Sequence, residues 1–123
     1  MGNLFSDAAP PAAGERFDTL LSRRGLTIER IVSTSKIESQ LYVQEQDEWV
    51  VLLQGAALLD VDGVETRLLA GDYVFLPSRT PHRVVSVSDG AMWLAVHLAA
   101  EPSRGGGNGQ MLDYRDIPQH PQE

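Results

Sequence analysis

The stretch of chain between residues 26 and 98 is a succession of short runs of β-branched and aliphatic residues, each ended by residues that favour turns. Turn signals recur roughly every 8–12 positions, a spacing typical of all-β sandwiches and barrels. No stretch between them is long enough and periodic enough for a long helix. Counting from Leu26 predicts about seven or eight antiparallel strands of ordinary length. We therefore expect an all-β domain.

Turn chemistry predicts how these strands connect. The clearest hairpin spans residues 56–69, because Asp62 and Gly63 supply the positive φ angles that a two-residue turn needs. A second hairpin is predicted at residues 88–90, joining a strand at 83–87 to a strand at 92–98.

A third turn, at residues 70–72, leads into a short run at residues 73–76. Pro77 should end that strand, because proline has no N–H to donate to a neighbouring strand.

The two ends of the chain differ from this β-rich middle. Phe17, Leu20 and Leu21 recur at helical spacing shortly before Gly25, which predicts a short N-terminal helix. The Ala- and Pro-containing start and the Gly-rich, polar end favour flexible segments. The predicted organisation is an arm at residues 1–14, a domain at 15–100 and a tail at 101–123.

Composition narrows the possible partners. The chain has 123 residues, enough for one domain, and a net charge of −7, which disfavours binding to nucleic acid and to anionic lipid. It contains no cysteine, so that a bound metal would need nitrogen and oxygen ligands. No apolar run approaches the ~18 residues of a membrane span, and no secretory leader precedes the domain. We expect a soluble cytoplasmic protein.

A first polar cluster consists of Tyr42, Gln44 and Glu48. Side chains two apart on a strand share a face, so Tyr42 and Gln44 should point the same way, and Glu48 can join them if the chain doubles back. Three oxygen-bearing groups could then converge. The alternative is a solvated acidic turn formed by Glu45, Asp47 and Glu48.

A second cluster is centred on His82, which follows Pro81 at the start of a strand. A histidine fixed there could bind a metal or transfer a proton, although it could also serve only as a hydrogen-bonded turn residue. His97, which should lie near His82 in the predicted second hairpin, is interpreted as a core or edge histidine. Arg79 and Arg83 flank His82 and could meet an anionic substrate, or pair with surface carboxylates.

Together the two clusters resemble the paired motifs of the cupin superfamily. In the first motif Glu48 and Gly55 match by type and spacing, with Tyr42 and Gln44 where two histidines stand in the family. The second motif is matched at the positions Gly71, Pro77 and His82.

The resemblance implies an antiparallel jelly-roll β-barrel, commonly dimeric, with a metal or substrate near one mouth of the barrel. Carried over position by position, it implies that Gln44, Glu48 and His82 are the metal ligands and that Tyr42 occupies a further ligand position. The implied cofactor is a divalent ion such as Mn, Fe, Ni or Zn.

The expected function is therefore binding of a small polar molecule beside a divalent metal, and the protein could be a metal-dependent enzyme of unassigned reaction. One alternative is a metal-free isomerase or epimerase in which Tyr42 and His82 act as the catalytic acid and base. The other is a binding or sensor module without catalysis. The family resemblance and aromatic residues such as Trp49 also predict a homodimer.

Overall fold

The computed structural model describes residues 1–100, and they form an all-β antiparallel fold, as the sequence predicted. The predicted tail at 101–123, with His120, lies outside the described residues. In chain order, the strands are β1 (Glu15–Arg23), β2 (Leu26–Ser33), β3 (Asp47–Gln54), β4 (Ala56–Val61), β5 (Val64–Leu69), β6 (Tyr73–Leu76), β7 (His82–Val87) and β8 (Met92–Leu98).

The strands form two sheets with the hydrophobic core between them. The larger sheet has the order β1-β2-β8-β3-β6, and the smaller has the order β5-β4-β7. Leu52 and Trp93 of the larger sheet pack in one buried cluster with Leu59 and Val87 of the smaller sheet. Within residues 1–100 no pair of these strands joins the two sheets by a hydrogen-bonded ladder, so the domain consists of two packed sheets.

The turns with the strongest local chemistry form as predicted. β4 and β5 make a hairpin whose turn residues, Asp62 and Gly63, have φ angles of 51° and 86°. The turn at residues 70–72 leads into β6, which ends at Leu76, directly before Pro77. These elements were predictable because their turns depend mainly on residues adjacent in sequence.

The predicted N-terminal helix is wrong, since Phe17, Leu20 and Leu21 belong to strand β1. β1 pairs with β2, and the register shifts between Thr19 and Leu21. A bulge of this kind inserts one residue and interrupts the alternation of side chains along a strand. The apolar spacing that resembled a helix therefore belongs to a bulged strand.

The predicted hairpin between β7 and β8 is also wrong. β7 pairs with β4 in the smaller sheet, whereas β8 lies between β2 and β3 in the larger one. The turn at residues 88–91 crosses between the sheets: Gly90 donates its N–H to the carbonyl of Ser33, and Ser88 donates its N–H to that of Ala56. Long-range backbone contacts, which turn residues alone do not reveal, decide this connection.

The N-terminal segment contacts the domain through Arg30 of β2, whose guanidinium donates to the carbonyls of Leu4, Ser6 and Asp7. Arg30 is buried and also pairs with Asp18 of β1 at 2.8 Å. The division into arm, domain and tail stays a prediction.

In the part of the chain that the structure describes, there is no helix with the length and hydropathy needed to cross a bilayer.

Candidate functional site

A cavity of about 250 Å³ lies between the two sheets. Its lining includes all four residues that the sequence predicted for the site, Tyr42, Gln44, Glu48 and His82, together with His97. Apolar residues such as Val50, Leu59 and Trp93 form other parts of its wall. Polar groups on an otherwise apolar wall are the usual composition of a small-molecule site.

Glu48 is the centre of the polar part of the cavity. Its Oε1 accepts a hydrogen bond from Nε2 of Gln44 at 2.9 Å. The same oxygen lies 3.8 Å from Nε2 of His82 and 3.9 Å from Nδ1 of His97. Glu48, His82 and His97 expose only 11%, 13% and 13% of their side chains, so these groups meet in a largely desolvated place.

Backbone pairing positions these side chains. Glu48 in β3 lies opposite His97 in β8 on one side and opposite Leu76 in β6 on the other. Directly paired residues on antiparallel strands point to the same face of the sheet. His82 begins β7 and reaches the cavity from the smaller sheet.

Hydrogen bonds to the outer ring nitrogens orient both histidines. Nδ1 of His82 lies 2.9 Å from the carbonyl oxygen of Thr80, and Nε2 of His97 lies 3.0 Å from Oε1 of Glu29. A carbonyl or carboxylate oxygen requires a donor, so in the neutral imidazoles these are the N–H nitrogens. The lone pairs of His82 Nε2 and His97 Nδ1 are then left on the side of Glu48.

Tyr42 is held beside His82 by backbone and ring contacts. The two residues form an isolated antiparallel bridge, exchanging N–H to carbonyl bonds of 2.8 and 3.0 Å. Their rings stack with centroids 5.9 Å apart and an interplanar angle of 28°. A phenol and an imidazole are thus placed side by side at the cavity.

The acidic-turn alternative holds for Glu45 but not for its neighbours. Glu45 is exposed and pairs with Arg79 at 3.1 Å. Asp47 is buried and accepts the backbone N–H of Ser78 at 2.8 Å, and Glu48 faces the cavity.

The two arginines that flank His82 do not reach the cavity. Arg79 pairs with Glu45, and Arg83 lies 3.5 Å from Asp60. Neither lines the cavity. These contacts match the alternative given by the sequence, in which both arginines pair with surface carboxylates.

His97, which the sequence indicated as a core or edge histidine, also lines the cavity. It lies opposite Glu48 through the pairing of β8 with β3, and not beside His82 in a hairpin. Within residues 1–100 its Nδ1 is buried and has no hydrogen-bond partner. The sequence gives one indication of a cavity position for His97: it is a histidine inside the apolar strand Met92–Leu98. A polar side chain in such a strand needs a hydrogen-bond partner.

Two imidazole nitrogens lie within 4 Å of one carboxylate oxygen in this part of the cavity. Donor atoms of these kinds suit a borderline divalent ion. Among the described residues, the buried Nδ1 of His97 has no hydrogen-bond partner. As they stand, no three His, Cys, Asp or Glu side chains among the described residues are already gathered closely enough to hold an ion.

Comparison with known proteins agrees with this fold. The family model for the cupin domain matches residues 32–97, more than half of the chain. No protein with a curated functional description matches. The chain is similar in structure to a putative mannose-6-phosphate isomerase from Ralstonia eutropha JMP134, with 37% identity and a TM-score of 0.74 over 81% of this chain and 98% of that one.

Two more distant structures share the fold. A conserved protein of unknown function from Streptococcus pyogenes has 22% identity and a TM-score of 0.71, covering 83% of this chain and 89% of its own. An RmlC-like cupin from Shewanella frigidimarina has 19% identity and a TM-score of 0.68, covering 82% and 90%. The family match and the 37% identical structure together define the class of protein: this chain belongs to the cupin superfamily.

Proposed function

We propose that this cupin protein binds a small polar molecule in the cavity between its sheets, next to a divalent metal held by Gln44, Glu48 and His82. The observation that carries the proposal is the convergence of these side chains on Oε1 of Glu48, within 2.9 Å for Gln44 and 3.8 Å for His82. The convergence lies at a cavity whose remaining wall is largely apolar.

The three proposed ligands differ in whether the atom that would bind the metal already faces the site. Glu48 supplies a carboxylate oxygen, and His82 supplies Nε2, because its Nδ1 faces the carbonyl of Thr80. The amide nitrogen of Gln44 points at Glu48. Its amide oxygen becomes a ligand only when the amide group flips, so that oxygen and nitrogen exchange positions. When bound, a divalent ion would act as a Lewis acid on an oxygen of the cavity molecule.

The charge of the cavity favours an uncharged or cationic ligand. Glu15, Glu29 and Glu48 contribute carboxylates to its lining, and no Lys or Arg of residues 1–100 does so. In the metal-free cavity a phosphate group would meet like charges in a poorly solvated place, which is unfavourable. A polyhydroxylated molecule can instead use the carboxylates and Gln44 as hydrogen-bond partners.

Elemental analysis tests the metal proposal directly. Protein purified without chelators should contain close to one equivalent of a transition metal, and mass spectrometry of the denatured sample should identify any co-purified molecule. His82→Asn should lose the metal, whereas Glu45→Gln, which changes an exposed carboxylate, should keep it. Full occupancy in His82→Asn would contradict the ligand assignment.

The stacked pair Tyr42 and His82 favours a second candidate function, a metal-free isomerase or epimerase. In that case the Tyr42 hydroxyl donates a proton and His82 Nε2 accepts one from the bound molecule. Activity that survives chelation but is lost in Tyr42→Phe would support this candidate over the metal site. A protein that binds the co-purified molecule and returns it unchanged would instead be a binding or sensor module.

We also propose a homodimer. Strand β1 is an edge of the larger sheet and exposes three apolar side chains, Phe17, Leu20 and Leu21. Apolar side chains exposed along an edge strand are candidates for burial in a protein interface. Sedimentation showing only monomer at high protein concentration would contradict the proposal.

A further inference from the structure

We propose that Nδ1 of His97 is a further ligand of the divalent metal and that Glu29 is the positioning residue that holds its ring. This inference rests on the proposed metal site at Glu48 and His82. It adds a residue that neither the two sequence motifs nor the predicted ligand set contains.

The first support is the state of the His97 ring. Nε2 lies 3.0 Å from Oε1 of Glu29, while Nδ1 is buried without a hydrogen-bond partner among the described residues. A neutral ring that donates its Nε2–H to a carboxylate carries its lone pair on Nδ1. A buried lone pair with no partner loses the hydrogen bond that it had in water, and a cation would restore an interaction.

The second support is that His82 has the same arrangement. Its Nδ1 faces the carbonyl oxygen of Thr80, and its Nε2 faces Glu48. Metal-binding histidines almost always donate their outer N–H to a carboxylate or a backbone carbonyl, which fixes the tautomer and the ring orientation. Both histidines of this cavity satisfy that condition: His82 faces a backbone carbonyl and His97 faces a carboxylate.

The third support is distance. Oε1 of Glu48 lies 3.8 Å from Nε2 of His82 and 3.9 Å from Nδ1 of His97. Ligand atoms bound at ~2.0–2.1 Å around a tetrahedral ion lie roughly 3.3 Å from one another. A contraction of about 0.5 Å on each side would bring each nitrogen to the spacing from Oε1 that two ligands of one ion have.

The donor set specifies the class of ion. Two imidazole nitrogens and one carboxylate oxygen suit Mn, Fe, Co, Ni or Zn, whereas Mg and Ca prefer oxygen ligands alone. Gln44 can stay hydrogen-bonded to Glu48 or contribute its oxygen without changing the role of His97.

Counting the bound imidazoles tests the inference. The full chain has three histidines, so His120→Ala leaves His82 and His97 as the only imidazoles. Loaded with one equivalent of Cu²⁺ after removal of other metals, this parent should show two coordinated imidazoles by electron spin echo envelope modulation. Adding His97→Gln should reduce the count to one. The Co²⁺ affinity measured by calorimetry should fall about tenfold or more.

A second variant separates the positioning residue from the ligand. Glu29→Gln should keep two coordinated imidazoles but weaken Co²⁺ binding by roughly 10–100-fold, because the ring loses its charged acceptor. Glu45→Gln is the matched control and should change neither quantity.

The outcomes distinguish the inference from the proposed function. One imidazole in the parent, lost in His82→Asn and unchanged in His97→Gln, would overturn the role of His97 and leave the site at Glu48 and His82 standing. No Cu²⁺ or Co²⁺ binding by the parent would overturn both. The number of coordinated imidazoles in the His120→Ala parent is measured without any substitution in the cavity. That measurement therefore tests the inference even if the His97 variant fails to fold.

Discussion

Glu48 is the residue on which the geometry of the site depends. It lies near the start of β3, is buried, and brings one carboxylate oxygen close to an amide and two imidazoles. A buried carboxylate is costly unless hydrogen bonds or charges compensate for its lost hydration. The N–H of Gln44 provides one such compensation, and a bound cation would provide a stronger one.

Glu48→Gln should therefore abolish metal binding while leaving the fold intact. The amide has the shape of the carboxylate but no charge, so we expect a loss of metal affinity of about a hundredfold or more. Calorimetry with Co²⁺ measures the affinity, and circular dichroism checks the fold. Unchanged affinity would mean that the ion does not use this carboxylate.

Asp18, in the edge strand β1 of the larger sheet, makes a pH-dependent contribution to the free energy of unfolding. The hydrogen bond from the buried Arg30 is the main cause that lowers the pKa of Asp18 below its usual value, and Arg16 adds to it. Since the pKa is lower in the folded state, the stabilisation is present above the unfolded pKa of about 4 and is lost as the pH falls through the folded value.

Asp18→Asn should lower the unfolding free energy at pH 7 by about 1 kcal/mol, a modest value because the pair is partly solvated. The difference from wild type should shrink as the pH falls below about 4, where Asp18 itself becomes protonated. Urea unfolding at a series of pH values measures both quantities. A difference that stays constant down to pH 2 would contradict the role of the Asp18 charge.

At the scale of elements, close contacts at the β3–β4 connection determine how the two sheets meet. Gly55 lies between β3 in the larger sheet and β4 in the smaller one, with φ of +94°. A Cβ atom placed there would lie 2.6 Å from Oγ of Ser88 and 2.9 Å from Cβ of Ala91. This connection therefore packs directly against the turn that carries the chain from β7 to β8.

Gly55→Ala should cost about 3 kcal/mol of unfolding free energy, because it combines a strained backbone with a steric clash. Gly63→Ala is the matched control: its φ is +86°, but no atom lies within 4 Å of the added Cβ. The control should lose only about 1 kcal/mol. Urea unfolding compares the two, and equal losses would show that the close approach of the turns contributes nothing.

At the scale of the whole molecule, the chain and the lining of its cavity both carry an excess of negative charge. The chain carries a net charge of −7, and three carboxylates line the cavity. The structurally similar protein from Ralstonia eutropha is described by its name as acting on a sugar phosphate. The ligand class that we propose from the charges of this cavity is a different one, an unphosphorylated molecule.

An unphosphorylated hexose should accordingly bind more tightly than its 6-phosphate, by about tenfold or more at low salt. Ligand-observed NMR competition in the presence of chelator measures the ratio without a metal contribution. Glu15→Gln should reduce the preference, because it removes one lining charge. Tighter binding of the phosphate would contradict the assigned ligand class.

The proposed dimer is also tested at this scale. Leu20 is 47% exposed at the bulge of β1, an edge strand of the larger sheet. Leu20→Glu should place a charge among the exposed apolar side chains of β1 and convert the proposed dimer to monomer. Sedimentation velocity measures the change, and Val64→Glu, an exposed residue at the start of β5, is the control that should leave the dimer intact.

Four residues of the cavity lining could be predicted as neighbours from sequence, because spacing along a strand and known motif positions placed Tyr42, Gln44, Glu48 and His82. The structure brings all four to one cavity. His97 could not be placed in this way, because its neighbours depend on which strands pair with β8. The assumption of a local hairpin put it beside His82, whereas pairing with β3 puts it beside Glu48.

The sequence by itself determined the all-β class, the β4–β5 hairpin and the strand that Pro77 ends, because these follow from alternation and from turn residues that are neighbours in the chain. Only the tertiary structure decided that β7 and β8 lie in different sheets, that β1 is a bulged strand and that His97 faces Glu48. Those features depend on hydrogen bonds and packing between residues distant in sequence, whose energies local patterns do not contain.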